Sequence, residues 1–252
     1  MINVIQPVLS EIEKKENVRI LYAAESGSRA WGFASVDSDY DVRFIYVHPR
    51  DWYLSLEKKR DVIELPINEE LDVNGWDLNK ALRLLFTSNP TLLEWFASPI
   101  VYRGAEYAEN LRETVNNYFS PKKGIYHYLS MAVRNYGEHL RGEMVRAKKY
   151  FYVLRPILAC RWILEHGTQP PMRFAELMEA ELNSGLIDTV QNLLDIKINN
   201  PEIREIPIIP ELNRYLDQSI SEIQESAGRL SKEPNKDWTP LNRIFLSEME
   251  NG

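Results

Sequence analysis

The stretch Ala24-Glu25-Ser26-Gly27-Ser28-Arg29-Ala30-Trp31-Gly32-Phe33-Ala34-Ser35-Val36-Asp37-Ser38-Asp39-Tyr40-Asp41-Val42-Arg43 carries most of what the chain says about its fold and chemistry. A Gly-Ser turn, Gly27-Ser28, follows the largely apolar run Val18 to Ala24, and Asp39 and Asp41 head a second apolar run, Val42 to Val47. Residues two apart on a strand share a face, so Asp39 and Asp41 point the same way, and Asp37 joins them if the strand begins early. Carboxylates on one face repel each other, and a hard divalent cation between them relieves that repulsion. Gly27 permits a tight backbone path, and Ser28 offers a hydroxyl and an amide near a helix start, which together make a phosphate cradle.

Working outward, Val4, Ile5, Val8, Leu9 and Ile12 fall near helical spacing ahead of Glu13-Lys14-Lys15-Glu16, which predicts an amphipathic helix over residues 4–16. Val18 to Ala24 reads as a buried strand, and the helix after the Gly-Ser turn ends at Gly32. Asp39 to His48 is a second strand, stopped by Pro49. Asp61 to Pro66 and Glu69 to Val73 read as a hairpin around Asn68, and Asp72 then lies on a strand able to pair beside the one that carries Asp39 and Asp41. Asp77 competes with Asp72 for a place in the same site. It begins the helix Leu78 to Phe86, where a carboxylate is ordinarily an N-cap worth ~1 kcal/mol, and Asp72 is preferred.

Gly27-Ser28, a spacer, and Asp39-Tyr40-Asp41 resemble the signature of the DNA polymerase beta-like nucleotidyltransferase superfamily, Gly-(Gly/Ser) followed by Asp-x-(Asp/Glu). The segment Leu71-Asp72-Val73-Asn74-Gly75-Trp76-Asp77-Leu78 with Lys80, then Ser88-Asn89-Pro90 and Glu94-Trp95, is similar to the bacterial and phage branch of predicted nucleotidyltransferases linked to RNA repair. The resemblance implies an α+β fold, with a small mixed β-sheet nucleotidyltransferase domain and flanking helices over residues 1–119, followed by an all-helical domain over residues 120–252. It implies Mg²⁺, or Mn²⁺ in its place, held by Asp39, Asp41 and Asp72 as metal ligands and catalytic residues. Ser26, Gly27, Ser28 and Arg29 would cradle an NTP, with Lys149 and Arg155 as further phosphate cations from the helical half. The acceptor is an RNA 3′ end or a protein hydroxyl. The alternative is a nucleotide-binding regulatory or partner module that keeps the fold without turnover.

The rest of the chain is helical in pattern. Pro90 suits the first turn of a helix opened by Asn89, with Leu92, Leu93, Trp95 and Phe96 as core and Glu94 among them, a functional carboxylate or a partner of Lys80 or Arg83. Ser120-Pro121-Lys122-Lys123-Gly124 marks the domain boundary. Tyr128, Met131, Ala132, Asn135 and Tyr136 form one apolar stripe, and Tyr150, Val153, Leu154, Ile157, Leu158, Arg161 and Trp162 another, in a helix that Pro170-Pro171 would end. Ile206-Pro207-Ile208-Ile209-Pro210 reads as an extended, packed linker, Leu212 to Leu230 as a final amphipathic helix, and the tail with Trp238 and Phe245 as folding back on the body.

Composition narrows the classes. A net charge of -7 argues against broad, sequence-independent nucleic-acid binding and leaves room for a local basic patch. No apolar run approaches the ~20 residues that span a bilayer, and the N-terminus lacks a secretory pattern, so a cytoplasmic protein with no membrane partner is expected. Cys160 reads as a buried thiol, and His48, His127, His139 and His166 lack a metal-binding spacing. Ser26 and Ser28 sit in no Gly-x-Ser-x-Gly elbow, and Gly27 and Gly32 make neither a dinucleotide fingerprint nor a P-loop. Oligomeric state is left open.

Overall fold

The computed structural model describes residues 2–66, 70–200, 204–230 and 236–250. Its first unit comprises Met1–Ala30, Asp39–Tyr118 and Asn235–Gly252, and its second Trp31–Ser38 and Phe119–Pro234. The division departs from a single cut at residue 119 in two places: the loop before Asp39 belongs with the helical unit, and the last helix belongs with the sheet.

In the first unit, helix α1 (Ile2–Glu16) leads into strand β1 (Arg19–Glu25), the one-and-a-half-turn helix α2 (Gly27–Trp31, whose Trp31 is assigned to the other unit) and strand β2 (Tyr40–Val47). Helix α3 (Arg50–Tyr53), strand β3 (Val62–Glu64), strand β4 (Leu71–Asp77), helices α4 (Leu78–Phe86) and α5 (Pro90–Phe96), strand β5 (Val101–Arg103) and helix α6 (Ala105–Asn117) follow. The strands form one mixed sheet in the order β3-β4-β2-β1-β5, with β2 and β4 parallel and the other neighbours antiparallel. The expected hairpin is therefore the β3/β4 pair; Asn68, its expected tip, lies outside the described residues.

Strand alternation sorts the sheet into two faces. Val42, Phe44 and Tyr46 of β2, with Val73 of β4, share one core with Ile5, Leu9 and Ile12 of α1, Val8 packs against it, and Val4 at the edge of the expected stripe is exposed. Asp41 and Arg43, in alternation with them, belong to the opposite face. Trp238, just ahead of helix α12 (Thr239–Glu250), stacks on Phe86 at 3.6 Å, and Phe245 of α12 meets Tyr53 edge-on at 5.1 Å, as expected of a tail that folds back.

The second unit is built on the long helices α7 (Pro121–His139) and α8 (Ala147–His166), with α9 (Phe174–Glu181), α10 (Ile187–Asn199) and α11 (Pro210–Ala227). Both apolar stripes lie in its core, Cys160 included, whose thiol burial pushes well above its ordinary pKa. Helix α8 stops before Pro170-Pro171: Gly167 adopts a φ of 67° and turns its N–H back to Ile163 O at 3.0 Å, a left-handed cap that glycine takes without strain. The expected linker around Ile206 supplies strand β7 (Glu205–Pro207), which pairs antiparallel with strand β6 (Met144–Arg146), so the helical unit carries one short ribbon. Among the described residues, no helix is long and apolar enough to cross a membrane.

Asp77 caps α4: its Oδ1 accepts from Asn79 N at 2.8 Å and its Oδ2 from Tyr53 Oη at 2.7 Å. Burial pushes this carboxyl up to about 6 from 3.8, against the pull of those hydrogen bonds. A carboxyl whose pKa is raised by folding binds more protons in the folded chain, so its contribution to stability falls as pH rises through that window. Denaturant unfolding should therefore show Asp77→Asn gaining stability relative to the wild type between about pH 4 and about pH 6 and levelling off above.

Candidate active site

Parallel pairing of β2 with β4 sets Asp41 opposite Asp72 and Arg43 opposite Asn74. The two carboxylates thus stand on neighbouring strands, each about 30% exposed (28% and 30%), and Arg43 lies between them at 17%. Its Nη2 donates to Asp41 Oδ1 at 2.9 Å and to Asp72 Oδ2 at 2.6 Å, while Nη1 donates to Asp72 O at 2.8 Å and Val42 O at 3.2 Å. One guanidinium ties both acidic side chains and the backbone of both strands.

The Gly-Ser turn closes on the same aspartate. Gly27 has a φ of +60°, and a Cβ built there would lie 2.0 Å from Asp41 Oδ2. The position thus demands glycine twice, for its backbone and for the room it leaves to a carboxylate. Ser26 N donates to Asp41 O at 2.8 Å, and Asp41 N donates to Glu25 Oε1 at 2.8 Å. Glu25 is fully buried, and its Oε2 accepts from the Tyr102 hydroxyl. Burial pushes the Glu25 carboxyl up, with the Asp41 charge adding to the rise, while the bonds from Tyr102 and Asp41 N–H oppose it. Burial and the adjoining Glu25 push the Tyr102 phenol up as well. Arg29 Nε donates to Asp39 O at 3.1 Å, and its guanidinium lies 3.6 Å over the Tyr40 ring.

Of the residues picked out from sequence, Ser26, Gly27, Ser28, Arg29, Asp39, Asp41 and Asp72 share the first unit. Asp39 is exposed just ahead of β2. The three aspartates do not converge as a ready-made ligand set: among the described residues, the group whose ligand atoms all lie within 4.8 Å is Glu165, His166 and Glu181. His166 Nε2 is 3.4 Å from Glu181 Oε1 there, so the histidine without metal spacing in sequence finds carboxylates through folding. Asp77 caps α4 at the far end of β4, paired in register with Tyr46 rather than Asp41.

Lys149 and Arg155 belong to the second unit. The Lys149 ammonium lies 4.9 Å over the Tyr152 ring. Arg155, only 2% exposed, is enclosed with its guanidinium 4.7 Å over Trp31 and Nη2 3.4 Å from Met172 Sδ. Lys80 pairs with Asp61 at 3.0 Å, and Arg83 Nε donates to Asn79 at 2.7 Å.

Three residues escaped sequence reasoning. Arg43 reads as a polar interruption of an apolar strand, and Glu25 as the polar end of one. Lys197 sits in an ordinary amphipathic helix, yet is 4% exposed, its Nζ donating to Phe33 O at 2.8 Å and Ser35 Oγ at 3.2 Å. A charged residue breaking an apolar strand beside Asp-x-Asp is the one signal that could have drawn attention to Arg43.

An acidic pair in register on adjoining strands, closed by a Gly-Ser turn, is the arrangement expected of a polymerase beta-like nucleotidyltransferase. The RNA repair pathway DNA polymerase beta family, RlaP, matches residues 1–247, and the chain belongs to that family. The uncharacterized protein YcgL of Bacillus subtilis (strain 168) is 48% identical over 244 residues, 96% of this chain and 94% of the relative. The crystal structure of a nucleotidyltransferase-like protein from Exiguobacterium sibiricum 255-15 covers 90% of this chain and 74% of its own, at 11% identity and a TM-score of 0.33.

Gly27→Ala should lower stability by roughly 1–3 kcal/mol in denaturant unfolding, through backbone strain and the collision with Asp41. In an Asp41→Ala background the collision is gone and the same substitution should cost less, a coupling that a double-mutant cycle reads directly.

Proposed function

We propose that this protein is a divalent-metal-dependent nucleotidyltransferase that moves a nucleoside monophosphate from an NTP to a hydroxyl, with an RNA 3′ end as the acceptor, and releases pyrophosphate. The observation that carries this reading is the in-register Asp41–Asp72 pair beside the turn at Gly27. The family's description as an RNA repair pathway family supports an RNA acceptor over a protein hydroxyl.

The donor set fits Mg²⁺ or Mn²⁺. Carboxylate oxygens are the hard ligands such ions prefer, and Asp41 and Asp72 offer them from two strands, with Asp39 exposed two residues before Asp41. A bound ion would draw charge from the α-phosphate and make the acceptor hydroxyl easier to deprotonate. The chain's own work is placement. Glu25 and Ser26 hold Asp41 through its backbone N–H and C=O. Ser26, Gly27, Ser28 and Arg29 form the side of the site that receives the triphosphate. The acceptor oxygen bonds to the α-phosphorus, the α–β phosphoanhydride bond breaks, pyrophosphate carries away the electron pair and the acceptor proton passes to solvent. Lys149 and Arg155 have no part in this assignment.

A second reading, a nucleotide-binding regulatory module, is favoured by the Arg43 bridge, which satisfies both carboxylates with no metal at all. Incubation with each α-labelled NTP and Mg²⁺ or Mn²⁺, with and without RNA, separates the two. The transferase reading expects label on RNA, falling on the order of 100-fold or more in Asp41→Asn and Asp72→Asn. NTP binding with no transfer under any condition establishes the regulatory module instead.

A further inference from the structure

We infer that Arg43 is a resident counter-cation that a divalent ion must displace, so that the Arg43 bridge and the metal exclude each other at Asp41 and Asp72. This rests on the metal site of the proposed function. Asp41 Oδ2 is backed against Gly27, where even a methyl group would lie 2.0 Å away, and the other oxygen, Oδ1, accepts from Arg43 at 2.9 Å. Asp72 gives Oδ2 to the same nitrogen at 2.6 Å. An ion that bridges the two side chains through Asp41 Oδ1 and Asp72 Oδ2 needs the space between them that Arg43 Nη2 now fills, and its positive charge repels the guanidinium there.

The bridge also has a reason to exist before any ion arrives. Neighbouring strands lie about 4.8 Å apart, so two in-register aspartates on one face repel unless a cation stands between them. A planar guanidinium suits that task, since it spans both carboxylates while Nη1 holds Asp72 O and Val42 O. The backbone bonds are independent of the carboxylates, so the side chain can give up the bridge and keep an anchor on the strand pair.

The test is a competition, read without catalysis. Mn²⁺ binding is followed by the electron paramagnetic resonance of free Mn²⁺ for wild type, Arg43→Gln and Asp41→Asn, beside thermal melts with and without Mn²⁺. Displacement expects Arg43→Gln to melt lower than wild type without metal, to regain stability with Mn²⁺, and to bind Mn²⁺ on the order of tenfold more tightly, the scale of one charge-assisted pair released. Weaker or equal Mn²⁺ binding by a folded Arg43→Gln overturns it. Should that variant fail to fold, the wild type still decides. Its Arg43 guanidinium resonances, assigned through Arg43→Lys, should shift and broaden on titration with Mg²⁺, and resonances unchanged at saturating Mg²⁺ overturn displacement. A wild type that binds no Mn²⁺, or an Asp41→Asn that binds it as well as wild type, removes the metal site itself and with it the proposed function.

Discussion

Two aspartates placed opposite each other on parallel strands repel, and the centre of the sheet is arranged around how that repulsion is met. Arg43 meets it from within the same strand, two residues past Asp41, donating one nitrogen to both carboxylates and another to two backbone carbonyls. The pairing of β2 with β4 and the charge balance of the site are thus one feature. Partly buried ion pairs often return little net stability, because desolvation offsets attraction. The value of this one lies in keeping two acidic groups aligned on neighbouring strands.

The turn adds a second constraint on Asp41. Its N–H is held by Glu25 and its C=O by Ser26, and its carboxylate packs where Gly27 has no side chain. Tyr102 on β5 donates to the other Glu25 oxygen, so a buried acid is satisfied from two sides. Strands β1, β2, β4 and β5 therefore all bear, directly or through one intermediate, on the residue Asp41. A group fixed this closely is pre-organised, which is the placement the proposed phosphoryl transfer would ask of it.

The helical unit also buries cations. Lys197 and Arg155 have carbonyl, hydroxyl, thioether and ring partners. Lys197 is bonded to residues 33–38, the loop that joins α2 to β2, and those bonds stay within one unit. Arg155, expected from sequence as a phosphate cation, is 2% exposed.

By itself the sequence determined what depends on local pattern. The short apolar runs placed β1 and β2, the helical stripes placed α1, α7 and α8, Asn89-Pro90 opened α5, and Gly27-Ser28 with Asp39-Tyr40-Asp41 marked a candidate site, because apolar patterning and turn chemistry are written in neighbouring residues. Only the tertiary structure decided what depends on register and burial. It set Asp72 opposite Asp41, tied Arg43 to Asp72 across the strand pair, and buried Glu25 against Tyr102 and Arg155 beneath Trp31. Those are contacts between residues far apart in the chain, and a side chain's charge says nothing of its partners until folding supplies them.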